Sequence, residues 1–359
     1  MKLRITLVLL SCAISVVIGL TIARQRADAT TTSPTRPGAA RHARPLIGLS
    51  MDTLKEERWQ GDRDRFIQHA HELGADVEVQ SANSDDSRQV RDIETLISLG
   101  VDVLVIIPHD GAAMAAGVER AHQAGIPVLA YDRLITGCDL DLYITFDNVK
   151  VGELQAQYLV DQFKKIGEGK KRLVRIYGSK TDNNALLFKQ GQDNILNPLI
   201  ASGAIEVVHD DWAQDWRPDN AKRIANAAIT KAGHEIDGLL ASNDGTASGA
   251  IQALIEEGIA QKVLVTGQDA ELAACQRIMA GTQAMTIYKP LSRLATQAAE
   301  IAVKLAQHRP VIARALIDNG KIKVPSVLLD VISVTKENMQ DTVVKDGFHK
   351  AEDLIPKPE

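Results

Sequence analysis

The sequence predicts an α/β protein built from two doubly wound parallel sheets, and three observations lead to this fold class. The chain has 359 residues, a length that favours more than one domain. From residue 46 onward, short apolar segments alternate with segments of helical periodicity, which implies parallel strands joined by right-handed crossovers. Residues 101–107 form an almost continuous β-branched run, typical of a parallel strand that is buried on both faces.

The first set of elements begins directly after the N-terminal region. We expect strands at 46–51, 76–80, 101–107, 127–131 and 142–146, and helices at 59–73, 87–99 and 112–124. Ser87 is a suitable residue for a helix start, and Gly74 and Gly100 stand where helices commonly end. These elements predict one complete sheet with its covering helices.

The same alternation then starts again. We expect strands at 173–177, 205–209, 238–241, 263–267 and 285–289, and helices at 151–166, 184–202, 218–232, 247–258, 272–280 and 291–306. Pro218 suits the first turn of its helix, whereas Pro198 predicts a break in the helix that contains it. Two successive sets of about five strands predict two sheets.

Composition excludes several classes of function. The net charge of −5 argues against a general nucleic-acid binder, which needs a basic face. The three cysteines, Cys12, Cys138 and Cys275, form no CxxC pair, so neither a zinc site nor a disulfide framework is indicated. We expect Cys138 and Cys275 to be unpaired.

The first 29 residues have the pattern of a targeting segment. Lys2 and Arg4 precede an uncharged apolar run at 5–23, and Ala27 and Ala29 form a small-x-small cleavage pattern. The run is also close to the length that spans a bilayer, so a signal peptide and a retained anchor both remain open. A lipoprotein form at Cys12 is a third alternative. Residues 30–45 have the composition of a disordered linker.

Polar and aromatic residues follow nearly every predicted strand. Ligands of doubly wound sheets lie outside the carboxyl ends of the strands, so these residues are the candidates for a binding site. They are Arg58, Trp59, Asp132, Arg133, Asn183, Asn184, Trp212, Trp216, Asn243, Asp244, Asp269 and Lys289. Carboxylates, amides and cations can hydrogen-bond sugar hydroxyls, and indole faces can pack on a sugar ring. The set therefore indicates a sugar-binding cleft.

Each of these residues also has a purely structural explanation. Helix or turn capping could explain Asp132, Asn243, Asp244 and Asp269, and capping is the favoured explanation for Asp244. Trp59 could be ordinary packing, and Lys289 could be a hinge residue before Pro290. Binding is favoured because candidates occur at so many successive strand ends.

Signals for catalysis are weak. No Walker A loop, GxSxG, HExxH or GxGxxG motif follows a predicted strand. His69 and His71 are two residues apart on a predicted helix and would point to different faces, which argues against a metal site. We therefore expect no enzyme activity, no metal and no cofactor.

The strand-end segments resemble a known family. GLSMDTLKEERWQGDRD (48–64), VLAYDR (128–133), DNNA (182–185), ASNDGTASGAIQAL (241–254), GQDAELA (267–273) and AGTQAMTIYKP (280–290) are similar to segments of the periplasmic D-xylose-binding proteins, within the ribose- and galactose-type solute-binding proteins of ABC transporters. The matching segments extend over almost the whole chain after residue 46. ERW and DNNA favour the xylose branch over the ribose branch.

The resemblance implies the binding residues and the fold. Arg58, Asp132, Arg133, Asn184, Asn243, Asp269 and Lys289 would hydrogen-bond the sugar, and Trp59 and Trp216 would enclose its ring. The family fold is the type I periplasmic binding protein, with two lobes joined by a three-strand hinge. We expect the chain to change lobe near 146–147, 289–290 and 321–324. The lobes would then comprise 46–146 plus 290–322, and 147–289 plus 323–359.

The resemblance also implies partners and a location. It predicts a monomer in the periplasm that closes over D-xylose or a related pentose and delivers it to an ABC transporter permease. One alternative is a ligand-sensing domain that reports sugar to a chemoreceptor or sensor kinase. An enzyme on the same scaffold would need a general acid and base, which Asp132 and Asp269 could supply. A repressor is disfavoured because no helix-turn-helix motif precedes residue 46.

Overall fold

The computed structural model describes residues 42–355 of the chain. The expected targeting segment at residues 1–29 and most of the expected linker at 30–45 therefore lie outside the described residues. Within 42–355, no helix is both long and apolar enough to cross a membrane.

The first sheet has seven strands in the order β11-β12-β5-β4-β3-β1-β2. Its elements and their helices are β1 (Leu46–Met51), α1 (Glu57–Glu72), β2 (Asp76–Ser81), α2 (Asp86–Ser98), β3 (Val103–Ile106), α3 (Ala115–Gln123), β4 (Val128–Tyr131), β5 (Leu142–Phe146), α9 (Leu291–Ala306), β11 (Ala315–Asp318) and β12 (Lys323–Leu329). All neighbouring strands are parallel except β11 and β12. Buried apolar side chains cover both faces of this sheet, as its β-branched strands predict.

The second sheet has four parallel strands in the order β7-β6-β8-β9. Its elements and their helices are α4 (Asn148–Ile166), β6 (Lys171–Tyr177), α5 (Asn183–Ala201), β7 (Ile205–Trp212), α6 (Pro218–Ala232), β8 (Gly238–Ala241), α7 (Asp244–Glu256), β9 (Leu264–Val265) and α8 (Leu272–Ala280). Two apolar clusters again cover its faces. The prediction of two doubly wound sheets is thereby confirmed.

The chain passes between the two sheets at three places that lie side by side. They are the ends of β5 and β12 and the short strand β10 (Thr286–Tyr288), which pairs antiparallel with β13 (Ile332–Val334). The backbone N–H of Asp147 donates to the carbonyl of Leu329 at 3.0 Å, which ties two of the crossings together. These adjacent crossings agree with the three-strand connection that the family resemblance implies.

The third crossing lies later in the chain than the sequence analysis expects. Strand β12 pairs with β5 of the first sheet through Leu329↔Phe146, so the chain does not change sheet at 321–324. The change occurs between Leu329 and Ile332. Residues 323–329 therefore belong with the first sheet and not with the second.

Two further differences concern helix and strand limits. Helix α5 continues through Pro198 to Ala201, so the expected break is absent; the proline removes one backbone N–H donor, but its fixed φ of about −65° is compatible with helical backbone. Strands β11, β12 and β13 were not predicted. Pro325 interrupts the apolar pattern of β12, which makes that segment resemble a loop.

Cys138 and Cys275 are both buried and free, as expected. Burial raises the pKa of the Cys138 thiol to about 11, which keeps it protonated at neutral pH. Both side chains therefore act as small apolar residues of the core.

Candidate functional site

A cavity lies at the carboxyl ends of the strands of both sheets, and all nine predicted site residues line it. It encloses about 340 Å³ of space free of atoms, part of which opens to solvent. The lining residues are Glu56, Arg58, Trp59, Asp132, Arg133, Asp182, Asn184, Phe188, Trp216, Asn243, Gln268, Asp269 and Lys289. Residues from both sheets thus converge on one space.

Arg58 is the most heavily paired cation of the cavity. It stands in the first turn of α1 and is 5% exposed. Its Nη2 lies 2.8 Å from Asp132 Oδ2, and its Nη1 lies 3.4 Å from Asp269 Oδ1. Burial opposes the guanidinium charge, but the surrounding carboxylates, Asp132 foremost, raise the pKa of Arg58 well above its usual value. The side chain is therefore a permanently charged donor.

Asp132 joins the two sheets at this cavity. Its Oδ1 accepts a hydrogen bond from Asn184 Nδ2 at 3.1 Å, while Oδ2 accepts from Arg58. Burial alone would raise the pKa of Asp132, but the attraction of Arg58 and Lys289 holds it below its usual value. None of these contacts is a helix cap, so the structural explanation offered for Asp132 is wrong.

Arg133 forms a second bridge between residues of the two sheets. Its Nη1 donates to Asp52 Oδ2 at 2.7 Å, beside the end of β1, and its Nε lies 2.9 Å from Asp182 Oδ2, beside the end of β6. Two aspartates from opposite sides thus hold one guanidinium. This planar group can present its remaining N–H bonds in a fixed direction.

Two indole rings line the cavity. Trp59 packs under Arg58, whose Cζ lies 4.1 Å from the ring centroid. Trp216 lies in a short 3-10 turn, Gln214–Trp216, and its Nε1 donates to Asp182 Oδ2 at 3.2 Å. Trp212 instead packs against Tyr177, with ring centroids 4.8 Å apart. Of the two tryptophans in the WxxxW spacing, Trp216 is the one that lines the cavity.

The side chains of the two asparagines, Asn184 and Asn243, form different hydrogen bonds. Asn184 donates through Nδ2 to Asp132, and its Oδ1 accepts from Asn148 Nδ2 at 2.9 Å. Asn243 is the N-cap of α7, because its Oδ1 accepts from the backbone N–H of Thr246 at 2.8 Å. Asn243, and not the favoured Asp244, is thus the capping residue.

Asp244 has a different environment from the one expected. It is fully buried at the start of α7, where its carboxylate accepts hydrogen bonds from Gln283, Thr286 and the backbone of Glu271. Asp244 therefore anchors the segment after β9, which carries Asp269.

Asp269 and Lys289 form an ion pair in the wall of the cavity. Lys289 Nζ lies 2.8 Å from Asp269 Oδ1, the same oxygen that faces Arg58. The Asp269 side chain caps no helix, because Glu271 occupies the N-cap position of α8. Both residues line the cavity, and Lys289 also stands at the crossing that follows β10.

Four lining residues were not assigned from sequence, namely Glu56, Asp182, Phe188 and Gln268. Asp182 and Gln268 stand directly beside assigned residues at strand ends, so the strand-end rule could have found them. Phe188 follows Asn184 by one helical turn and shares its face, which is a weaker signal.

The described residues contain no group of three or more His, Cys, Asp or Glu side chains arranged to hold a metal ion. The three aspartates of the cavity, Asp132, Asp182 and Asp269, are paired with Arg58, Arg133 and Lys289 respectively, and Glu56 is paired with Lys55. The arrangement can therefore offer carboxylate acceptors, charged donors and aromatic faces to a neutral polar ligand.

Comparison with known proteins agrees with this geometry. The periplasmic binding protein domain family matches residues 47–310. The D-xylose-binding periplasmic protein of Haemophilus influenzae is 51% identical over 87% of this chain and 93% of its own length. The corresponding protein of Escherichia coli is 50% identical over 90% of this chain and 97% of its own length. Both are named as binding proteins and not as enzymes, in agreement with the expected absence of enzyme activity.

A solved structure supports the same assignment. The carbohydrate transporter solute-binding protein of Chloroflexus aurantiacus, in complex with D-glucose, superposes with a TM-score of 0.80 at 35% identity and covers 86% of this chain and 97% of that one. By its fold, its two-sided cavity and these relatives, the chain belongs to the periplasmic binding protein family and is a relative of that family's D-xylose-binding members.

Proposed function

We propose that the chain binds a monosaccharide, with D-xylose as the preferred sugar, in the cavity that contains Arg58, Asp132, Asp269 and the two indole rings. The chain would then deliver the sugar to an ABC-type importer. The observation that carries this proposal is the convergence of all nine expected residues on one cavity. The names of relatives at 51% and 50% identity favour xylose among the sugars.

The chemistry of the lining suits a polyhydroxylated ring. Carboxylates of Asp132 and Asp269 accept hydrogen bonds from hydroxyl groups, and Arg58, Arg133 and Lys289 donate charge-assisted hydrogen bonds. Among the described residues, Oε1 of Gln268 is buried and accepts no hydrogen bond. A buried acceptor without a donor costs about 1–3 kcal/mol, so a ligand hydroxyl at this position would be favourable.

Closure of the two lobes accounts for the enclosed site. We assign residues 46–146 plus 290–329 to one lobe and 147–289 plus 332–355 to the other. The ion pairs Arg58–Asp269 and Arg133–Asp182 then cross the cleft at 3.4 Å and 2.9 Å. A sugar that contacts both lobes would stabilise this closed arrangement by hinge closure.

Selectivity would depend on the aromatic walls. Glucose carries a hydroxymethyl arm at C5 that xylose lacks, and Trp59 or Trp216 would exclude it by steric contact. In Trp216→Gly, binding of glucose should therefore improve relative to xylose, whereas an unchanged ratio of the two affinities would count against Trp216 as the excluding wall.

The chain would act outside the cytoplasm. Its relatives are named as periplasmic proteins, and the N-terminal pattern is that of an export signal or an anchor. The proposed partner is the permease of an ABC transporter, with the protein acting as a monomer. A chemoreceptor or sensor kinase would use the same sugar chemistry, and cross-linking of the sugar-loaded protein in cells distinguishes these partners.

The test is a calorimetric titration of the purified protein with xylose, ribose, arabinose and glucose. We expect one site per chain and the highest affinity for xylose. Trp216→Ala should weaken xylose binding at least tenfold because it removes an aromatic face, whereas the matched variant Trp212→Ala should leave affinity unchanged. Binding of none of the four sugars would refute the assignment to pentoses.

A further inference from the structure

Arg58 is held from behind by a carboxylate that does not line the cavity. Asp62 lies one turn further along α1 and is 2% exposed. Its Oδ2 accepts hydrogen bonds from Nη2 of Arg58 at 3.1 Å and from Nε at 3.4 Å. Of the three carboxylates that pair with Arg58, Asp132 and Asp269 line the cavity and Asp62 stands outside its lining.

The other oxygen of Asp62 is held by a buried tyrosine. The hydroxyl of Tyr131 donates to Asp62 Oδ1 at 2.7 Å, and Tyr131 is 1% exposed. Phe66, one turn after Asp62, packs edge-on against the Tyr131 ring with centroids 6.4 Å apart. Rotation of the Asp62 carboxylate would break its hydrogen bonds with Tyr131 and Arg58 together. These hydrogen bonds therefore fix the orientation of the carboxylate.

We propose that Asp62 and Tyr131 are positioning residues of the sugar site and that they hold the Arg58 guanidinium in the plane that presents Nη1 and Nη2 to the ligand. The inference rests on the proposed function and adds two residues that do not touch the sugar. Because the guanidinium is a rigid planar fork, a small rotation about its axis moves both donors away from their acceptors.

The three carboxylates that pair with Arg58 have two different roles: Asp132 and Asp269 can contact the sugar, whereas Asp62 contacts only protein groups. Asp132 and Asp269 line the cavity and can exchange their contact with Arg58 for contacts with sugar hydroxyls. Asp62 is out of reach of the ligand and keeps its contact with the guanidinium in either state. A buried charge left without a partner is strongly unfavourable, so Asp62 allows Arg58 to remain charged when a neutral sugar occupies the cavity.

The experiment measures xylose affinity by calorimetry for the full chain and for two conservative variants. Asp62→Asn keeps the shape of the side chain and removes its charge, and we expect its Kd to rise about 10- to 100-fold. Tyr131→Phe removes one hydrogen bond to Asp62, and we expect a smaller rise of about 3- to 10-fold. If both act through Arg58, Tyr131→Phe should add less than about twofold in the Asp62→Asn background.

Matched controls separate positioning from general stability. Arg175 is a buried arginine of the second sheet that pairs with Asp193 at 2.7 Å, and Tyr177 donates to Asp210 at 2.9 Å. Asp193→Asn and Tyr177→Phe make the same chemical changes away from the cavity lining, and we expect unchanged affinity. Thermal unfolding of every variant identifies any that fails to fold, in which case Tyr131→Phe carries the test.

The effect of Asp62→Asn in a variant that lacks Arg58 distinguishes a positioning role from a merely structural one. We expect Arg58→Gln to bind xylose more weakly than the wild type, and in that background Asp62→Asn should lower the affinity by less than about twofold. Equal losses in both backgrounds would assign Asp62 a general structural role and overturn the inference. Wild-type affinity in both Asp62→Asn and Tyr131→Phe would also overturn it. If the wild-type chain binds no sugar, the proposed function fails first, and the positioning role fails with it.

Discussion

At the scale of single residues, the cavity depends on backbone conformations that residues other than glycine rarely adopt. Asp132, Trp216 and Asp269 have φ angles of 63°, 57° and 95°. Left-handed conformations of residues other than glycine cost about 1–3 kcal/mol and persist where the surrounding contacts enforce them. All three residues line the same cavity, so this strain is concentrated where their side chains must point inward.

Gly178 determines where the Trp216 ring can lie. A Cβ built at Gly178 would overlap with the six-membered part of that ring. We therefore expect Gly178→Ala to displace the indole and to weaken xylose binding at least tenfold, because the ring loses its place against the ligand. Calorimetric titration and the change of tryptophan fluorescence on sugar addition measure this effect.

The control is another glycine-to-alanine change near the site. A Cβ at Gly61 in helix α1 would meet only the flexible end of Arg65. Gly61→Ala should keep wild-type affinity and increase helix stability, since alanine is favoured over glycine in helices. If Gly178→Ala also kept wild-type affinity, the ring of Trp216 would not be needed in its present place.

At the scale of elements, the segments that follow β1, β3 and β7 meet beside the cavity. His109 Nδ1, after β3, lies 2.9 Å from Asp52 Oδ1, and its Nε2 lies 3.9 Å from Asp215 Oδ1. Lys55 Nζ donates to the backbone carbonyl of Asp215 at 3.1 Å. Residues of the first sheet thus contact the turn that carries Trp216.

This cluster predicts a pH dependence of stability. Hydrogen bonding to Asp52 raises the pKa of His109, in spite of burial and the nearby charge of Arg133. Burial opposes ionisation of Asp52, but His109 and Arg133 lower its pKa, so Asp52 stays ionised at neutral pH. The contribution of His109 is therefore complete below its unfolded-state pKa and is lost as pH rises through its raised folded-state pKa.

The measurement compares thermal midpoints of the wild type and His109→Gln at about pH 5.5 and about pH 8.5, on either side of histidine titration. We expect the wild type to exceed the variant by more at the lower pH. His234, an exposed histidine that lies 3.3 Å from Glu257, supplies the control variant His234→Gln. A difference for His109→Gln that is the same at both pH values would contradict the role assigned to the His109 charge.

At the scale of the whole molecule, three adjacent crossings connect two sheets that share one cavity. The β10–β13 pair and the hydrogen bond from Asp147 to Leu329 hold these crossings together. Beside the cavity, the ion pairs Arg58–Asp269 and Arg133–Asp182 join residues near the strand ends of the first sheet to residues near the strand ends of the second.

A ligand that binds the closed, folded protein must raise its stability by mass action. At a xylose concentration of about 1,000 times Kd, the free energy of unfolding should increase by about 4 kcal/mol. Thermal unfolding at a series of xylose concentrations measures this, and the midpoint should rise continuously with concentration. Trp216→Ala should show a smaller shift at the same concentrations, and equal shifts in both proteins would place the sugar away from Trp216.

The sequence by itself predicted the fold class, most helices and, through the family resemblance, nine residues that line the cavity. Periodicity is a local property, so strands such as Leu142–Phe146 and helices such as Leu291–Ala306 could be predicted with their observed limits. The strand-end rule converts local order into a site, because parallel strands end at the same edge of a sheet. It therefore indicates Asp269 and Lys289 from the sequence alone.

Only the tertiary structure decided the features that depend on distant partners. Strand β12 belongs to the first sheet because it pairs with β5, more than 180 residues earlier in the chain, and no local pattern encodes that pairing. Asp62 looks like an ordinary helix-surface aspartate in the sequence, and its role follows from burial against Tyr131 and Arg58. Burial and long-range pairing arise when separate elements pack together, and for that reason the sequence pattern of one element does not reveal them.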